Sequence, residues 1–233
     1  MSRYLTEFIG TFFLVLTIGL CVTYNVALAP LAIGCSLMIM VYMGGHISGG
    51  HYNPAVSLSA MLRGALKVTE LVPYWVAQVA GAIVAALVVS FIIPAGLVVD
   101  GNEIPQYFGP APGEGFQLSS PGVWIIEILF TFALCLVVLN TATSEGTEGN
   151  SYFGLAIGFT VVVGAFAGGH ISGGAFNPAV GIGPNLIKGT LGGTPEALQN
   201  IILHTIGPFV GGLLAVAVFK LQEATITTEK DQA

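Results

Sequence analysis

Two copies of an Asn-Pro-Ala-Val motif, at residues 53–56 and 177–180, carry the residues best suited to chemistry in this chain. Each copy ends the longer string His-Ile-Ser-Gly-Gly-x-x-Asn-Pro-Ala-Val, and the copies lie about half the chain length apart. Asn caps helices and Pro is tolerated at their first position, so each motif predicts a helix start. Its amide would donate hydrogen bonds to a passing oxygen at the positive end of a helix dipole. The duplication indicates a pore built from two repeats.

The composition indicates that the surrounding solvent is lipid. The chain of 233 residues is 54% hydrophobic and 8% charged, whereas soluble domains carry about 25% charged residues. The net charge of −6 comes from acids that lie mostly in connections and in the tail. No basic patch is present, so a nucleic-acid partner is not expected.

Catalytic and metal-binding patterns are absent from the sequence. It contains no nucleophile–base pair, no phosphate-binding loop and no metal-ligand cluster. Cys21, Cys35 and Cys135 lie within or at the ends of apolar runs without a Cys-x-x-Cys pair, which favours a packing role. We therefore predict that the protein is not an enzyme, with no catalytic residues, cofactor or bound metal.

Six apolar runs have about the 20 residues that a membrane helix needs. They are residues 4–24, 27–45, 71–94, 122–143, 152–168 and 197–221. Two further segments, 44–63 and 169–188, begin polar and Gly-rich and continue as short apolar stretches. We expect each of them to enter the membrane as an extended loop followed by a half-helix, at 53–63 and 177–188, because irregular backbone is tolerated there only beside a wet cavity or within protein.

The chain then divides into two inverted repeats of three spans each. The first repeat covers residues 1–94, an extracellular connection covers 95–121, the second repeat covers 122–221, and a cytoplasmic tail covers 222–233. Lys and Arg are enriched in cytoplasmic connections, and five of the six would be cytoplasmic if both termini are. Those five are Arg3, Arg63, Lys67, Lys220 and Lys230, against Lys188 on the outside.

These features resemble the aquaporin (major intrinsic protein) family over about residues 4–221. The resemblance rests on the two Asn-Pro-Ala motifs, the string around the first of them, and Glu7 and Glu127 on the first and fourth spans. It implies an all-α integral membrane protein, with six tilted helices and two re-entrant half-helices in a right-handed bundle. It further implies a homotetramer with a pore in each subunit. The short termini favour a bacterial or archaeal plasma membrane.

The resemblance also implies the pore residues. The two motifs, Asn53, Pro54, Ala55, Asn177, Pro178 and Ala179, would meet near the bilayer midplane. The carbonyls of Gly49, Gly50, His51, Gly173, Gly174 and Ala175 would line the pore. Glu7 and Glu127 would bind backbone groups of the two loops, although a proton relay stays open. His46 and His170 would lie near opposite ends of the pore, either anchoring loops or gating.

One position departs from most of the family, which has Arg directly after the second motif. This chain has Val180 there, and the other filter positions, carried over by spacing, are Ile33, Ala165 and Gly174. This wide, apolar ring resembles the filters of channels for uncharged metalloid acids such as arsenite. We therefore expect a passive channel for water and small uncharged solutes, including glycerol and urea, unless Phe166 or His170 closes the ring.

Three alternatives remain at this stage. A strictly water-selective channel would need another side chain to narrow the ring. An ion-coupled transporter would need charges near the site, and Glu7 and Glu127 are the acids within spans. A structural membrane junction protein would need a large, specialised outer loop, whereas residues 95–121 are moderate in length.

Overall fold

The computed structural model describes residues 1–99 and 101–232; Asp100 of the predicted connection and Ala233 of the predicted tail lie outside the described residues. Helices dominate the fold, and a two-residue antiparallel hairpin (β1, Val98–Val99; β2, Asn102–Glu103) lies in the connection between the repeats. The helices are α1 Ser2–Thr23, α2 Ala29–Ser48, α3 Pro54–Arg63, α4 Val68–Ile92, α5 Pro121–Ala142, α6 Phe153–Ser172, α7 Pro178–Thr190 and α8 Ala197–Gln232.

The six predicted spans are confirmed. In the described residues six helices, α1, α2, α4, α5, α6 and α8, are long and apolar enough to cross a membrane. The short helices α3 and α7, of 10 and 13 residues, follow α2 and α6 after five-residue connections. Both halves therefore repeat one order of elements: two spans, a half-helix and a span.

The loops that enter the half-helices are shorter than predicted. The second and fifth spans were expected to end at residues 45 and 168, but α2 continues to Ser48 and α6 to Ser172. The non-helical loop before each half-helix is confined to segments 49–53 and 173–177. The Gly and polar residues after the predicted ends remain helical, and each helix stops at a glycine with φ of 92°, a conformation that glycine adopts at little cost.

The helix that contains the sixth span extends into the predicted tail, because α8 continues beyond residue 221 to Gln232. Residues 222–232 contain neither Gly nor Pro, so nothing in this stretch breaks the helix. Arg63, at the end of α3, also binds the extension: its Nη2 lies 2.7 Å from Glu223 Oε1, and its guanidinium lies over the Phe219 ring.

Close helix crossings occur at glycines in equivalent contacts of the two halves. In the first half, α1 packs against α4, and a Cβ at Gly81 would clash with the Phe8 carbonyl oxygen. In the second half, α5 packs against α8, and a Cβ at Gly211 would clash with the Ile128 carbonyl oxygen. These glycines let the backbones approach, as small residues do between membrane helices.

We expect Gly81→Ala to lower the free energy of unfolding by about 2 kcal/mol, because the added methyl group overpacks the α1–α4 crossing. The measurement is thermal unfolding of the purified protein in detergent. Gly122→Ala is the matched control, since a Cβ there meets no atom of the described residues within 4 Å. Equal melting temperatures for the two variants would contradict this account of the crossing.

Candidate functional site

The half-helices α3 and α7 each begin at a motif asparagine. The Oδ1 atom of Asn53 accepts a hydrogen bond from Ala55 N at 2.9 Å, and that of Asn177 accepts one from Ala179 N at 2.9 Å. Both asparagines have extended backbone and precede a proline at the first helical position. The caps therefore fix the direction in which the two side-chain amides point.

The two motifs are joined by reciprocal hydrogen bonds. Asn53 Nδ2 donates to the Phe176 carbonyl at 2.9 Å, and Asn177 Nδ2 donates to the Tyr52 carbonyl at 2.8 Å. An amide group has two N–H donors, and each of these bonds uses one. Both asparagines line the same narrow cavity. The second N–H of each amide is thus available for an oxygen atom in that cavity.

Segments 49–53 and 173–177 share one unusual backbone conformation. Tyr52 and Phe176 have φ of 49° and 47°, in the left-handed region that non-glycine residues adopt at a cost of about 1–2 kcal/mol. Both have side chains that are at least 98% buried. The left-handed glycines that precede them are Gly49, Gly50, Gly173 and Gly174, with φ of 92°, 63°, 92° and 61°. Such backbone persists only where the surroundings fix it.

Glu7 of α1 binds the first of these segments, residues 49–53. Its fully buried carboxylate accepts hydrogen bonds from Ser48 Oγ at 2.6 Å, His51 N at 3.0 Å and Tyr52 N at 2.7 Å. Gln78 of α4 donates a fourth, from Nε2 at 2.8 Å. Every partner is a donor, which suits a carboxylate acceptor. The carboxylate thus satisfies two amides that no helix or strand pairs.

Glu127 of α5 holds the second segment in the same way. Its carboxylate accepts from Ser172 Oγ at 2.7 Å, Ala175 N at 3.1 Å and Phe176 N at 2.8 Å. The place of the glutamine is taken by His204 of α8, whose Nε2 lies 3.7 Å from Glu127 Oε1 and 2.8 Å from the Ser172 carbonyl oxygen. Because that oxygen only accepts, His204 Nε2 carries the hydrogen.

Cavities lie along the bundle on both sides of a narrow central cavity, which we name the waist. The waist has about 30 Å³; Asn53 and Asn177 line it together with residues that are mostly Leu, Ile and Val. The cavity at the end of the bundle that bears Ala29, which we name the outer cavity, has about 310 Å³. At the end that bears Arg3, two inner cavities have about 670 and 290 Å³. A cavity needs about 10–15 Å³ of such space to hold one water molecule, so the waist has room for only a few.

The residues predicted to supply carbonyls all flank this path. Gly50, His51, Gly174 and Ala175 line the waist, Gly49 lines the inner cavities, and Gly173 lines the outer cavity. His46 lines both inner cavities. His170 lies at the opposite end of the bundle, in the last turn of α6. The expectation that these two histidines lie near opposite ends of the pore agrees with these positions.

The four predicted filter residues lie where the outer cavity meets the waist. Ile33, Gly174 and Val180 line both spaces, whereas Ala165 lines the outer cavity alone. Phe166, which could have closed the ring, is 51% exposed on the outside of the bundle, and its side chain is not among the described residues that line either space.

Sequence reasoning missed several residues that support the site. Ser48 and Ser172 belong to the duplicated string, so their repetition was the signal that could have revealed them. Gln78 is a polar residue within a span, and such a residue requires a buried partner. Residues 108–111, from the connection between the repeats, line the outer cavity, and the flanking Gln106 and Gly113 hold them there through pairings that only the folded chain creates.

Comparisons with known proteins agree with this geometry. A family model described as "Major intrinsic protein" matches residues 1–219. Glycerol uptake facilitator protein-like 6 of Lactiplantibacillus plantarum is 34% identical over 220 residues, covering 92% of this chain and 95% of that protein. Aquaporin TIP2-3 of Arabidopsis thaliana is 34% identical over 234 residues, covering 94% and 86%. The X-ray structure of the aquaglyceroporin from Plasmodium falciparum superposes with a TM-score of 0.80 at 20% identity over 94% of each chain, which confirms the fold.

We expect Glu7→Gln to release segment 49–53, because the amide group that replaces one carboxylate oxygen would face donors. Losing charge-assisted hydrogen bonds at a buried site costs about 3 kcal/mol. Water permeability per reconstituted protein and the melting temperature should both fall. Glu70→Gln is the control, because Glu70 forms an exposed ion pair with Arg3 that is worth about 1 kcal/mol at most. Equal effects of the two substitutions would contradict the anchoring role.

Proposed function

The chain belongs to the major intrinsic protein family of membrane channels, and we propose that its pore conducts small uncharged solutes together with water. The solute specificity is the part that is proposed; the channel class follows from the family. Membership of a channel family therefore argues against the transporter and junction-protein alternatives. The pore would run through the waist between the two Asn-Pro-Ala motifs.

The observation that carries this proposal is the apolar ring of Ile33, Gly174 and Val180 at the entrance to the waist. Ala165 widens the outer side of the ring because its side chain is a single methyl group. A hydrocarbon wall can face the CH groups of a polyol, whereas a lone water molecule gains no hydrogen bond from it. This ring therefore favours solutes with both an apolar and a polar face.

The backbone along the same path would supply polar contacts. We propose that the carbonyls of Gly49, Gly50, His51, Gly173, Gly174 and Ala175 accept hydrogen bonds from solute hydroxyl or amide groups. At the centre, Asn53 and Asn177 would donate to a solute oxygen. The first turns of α3 and α7 each place about half a positive charge there. A solute would thus exchange part of its hydration for these protein contacts.

Ions should be excluded although Val180 contributes no charge. Among the described residues that line the waist and the outer cavity, none is Asp, Glu, Lys or Arg. A cation would lose its hydration without a counter-charge and would meet the positive ends of two helix dipoles. Uncharged glycerol, urea and arsenite-type acids avoid this penalty, and the glycerol facilitator-like relative agrees with the first of them.

A second candidate is a channel for water alone, and the small volume of the waist favours it. The waist of about 30 Å³ has room for only a few water molecules, and Leu14, Leu134 and Ile157 line that space. Glycerol would pass only if these side chains adopt other rotamers. The outer ring and the waist therefore favour different solutes, and flux measurements decide between them.

We further propose the assembly and orientation that the family resemblance implies. The protein would be a homotetramer with one pore in each subunit, and both termini would be cytoplasmic. Arg3, Arg63 and Lys67 would then lie at the cytoplasmic end, and Lys188 at the other. Chemical crosslinking in the membrane tests the assembly, and protease access to the C-terminus in sealed vesicles tests the orientation.

The deciding experiment is stopped-flow light scattering on proteoliposomes that contain the purified protein. Shrinkage in an impermeant osmolyte gives water permeability, and re-swelling in glycerol or urea gives solute permeability, with arsenite measured by uptake. Flux that rises linearly with concentration and has a low activation energy would be that of a channel. Solute entry above protein-free vesicles supports the proposal, whereas fast water flux without solute entry supports the water-only candidate.

We expect Val180→Arg to reduce glycerol permeability by about tenfold, because a long charged side chain at the ring narrows it and raises the barrier by about 1.4 kcal/mol. Val180→Leu, which enlarges the side chain without adding charge, separates the steric effect from the electrostatic one. If glycerol permeability in Val180→Arg equals that of the unmodified protein, Val180 does not line the constriction and the ring is wrongly assigned.

A further inference from the structure

A segment from the connection between the repeats forms part of the outer mouth. Residues 108–111, Phe-Gly-Pro-Ala, which we name the strap, all line the outer cavity together with the ring residues Ile33, Gly174 and Val180. The strap contains no helix or strand. Its position across the mouth must therefore be fixed by contacts with the bundle.

Contacts with the first repeat hold one end of the strap. The Phe108 side chain is 6% exposed, and its ring fills the space beside Gly19 of α1, where a Cβ would lie only 2.5 Å from it. Just before the strap, Gln106 Nε2 donates to the Ser90 carbonyl of α4 at 2.9 Å.

Contacts with the second repeat hold the other end. Behind the strap, Gly113 N donates to the Ile171 carbonyl of α6 at 3.1 Å. The Ala111 backbone lies so close to Gly173 that a Cβ on this glycine would be 2.5 Å from Ala111 N. The strap thus spans from one repeat to the other and touches a residue that flanks the pore.

Asn185 of α7 connects the middle of the strap to the half-helix that bears the ring. Its side chain is fully buried, and Nδ2 donates to the Pro110 carbonyl and to the Gly181 carbonyl, both at 3.0 Å. Gly181 directly follows Val180. One amide group therefore fixes the distance between the strap and the helical turn that carries Val180.

The fit around this amide leaves little freedom. A Cβ at Gly109 would clash with Asn185 Oδ1 and would lie 3.3 Å from Asn185 Cα, so only glycine allows this approach. Among the described residues, none donates to Asn185 Oδ1, so the contact with the strap depends on the Nδ2 donor.

We propose that Asn185 is a positioning residue for solute selection: by holding Pro110, it sets the width of the outer mouth and hence which solutes reach the ring. This inference rests on the proposed solute channel and adds the strap as a further wall of its filter. Movement of Pro110 changes the outer cavity of about 310 Å³ directly, without altering a ring side chain.

The test compares Asn185→Leu, which keeps the branched shape of the side chain but removes both donors, with the unmodified protein in proteoliposomes. Water, glycerol and the larger polyol erythritol are measured on the same preparations. We expect the ratio of erythritol to water permeability to rise about fivefold, the effect of one lost hydrogen bond on a barrier. A purely structural role would lower all three permeabilities together and leave the ratio unchanged.

Thr190→Val is the matched control. It removes a side chain–backbone hydrogen bond from the same helix, Thr190 Oγ1 to the Leu186 carbonyl at 2.7 Å, on an exposed residue that does not line the outer cavity. Its permeability ratio should equal that of the unmodified protein. An unchanged ratio in Asn185→Leu would overturn the positioning role and leave the solute channel intact.

Two further outcomes, a variant that does not fold and a protein that conducts no solute, each have a deciding measurement. If Asn185→Leu does not fold, Gly109→Ala displaces the strap against an intact Asn185, and an unchanged ratio in that variant overturns the inference. If the unmodified protein conducts no solute, the solute channel fails. The inference then requires that Asn185→Leu raise water permeability per protein above that of Thr190→Val, and an equal or lower value overturns it.

Discussion

Two buried carboxylates stabilise non-helical backbone at the centre of an apolar bundle. Segments 49–53 and 173–177 belong to no helix or strand, so their amides need acceptors where lipid supplies none. Glu7 and Glu127 provide them, and in doing so fix Tyr52 and Phe176 in the left-handed region. The directions of the loop carbonyls and the start of each half-helix depend on these anchors.

The scaffold around the anchors is nearly two-fold, but the pore lining is not. Corresponding positions hold His51 and Ala175, so one half of the waist has an imidazole where the other has a methyl group. The anchors also differ, since Gln78 binds Glu7 whereas His204 lies beside Glu127. The repeated carboxylates satisfy equivalent loop amides in both halves. The two halves differ instead in side chains that line the waist.

In the proposed channel, selection would be divided between the waist and the outer mouth, which differ in their chemistry. The waist is narrow and combines aliphatic walls with two amide donors, so it would act on size and on hydrogen-bonding capacity. The outer mouth is wider, and its walls come from a ring of side chains and from the strap, residues 108–111. Because the ring carries no charge, ion exclusion in the proposed channel would depend on desolvation and on the half-helix dipoles.

The sequence alone determined the spans, the half-helices and the position of the two asparagines at the half-helix starts. Hydropathy, Asn-Pro helix starts and exact repetition are local signals. It also pointed to Val180 as the departure from the family. Tertiary structure decided which partners complete the anchors, where the helices end, and that residues 108–111 reach the outer mouth. Those features depend on contacts between residues far apart in the chain, such as Asn185 with Pro110, and no local pattern encodes that distance.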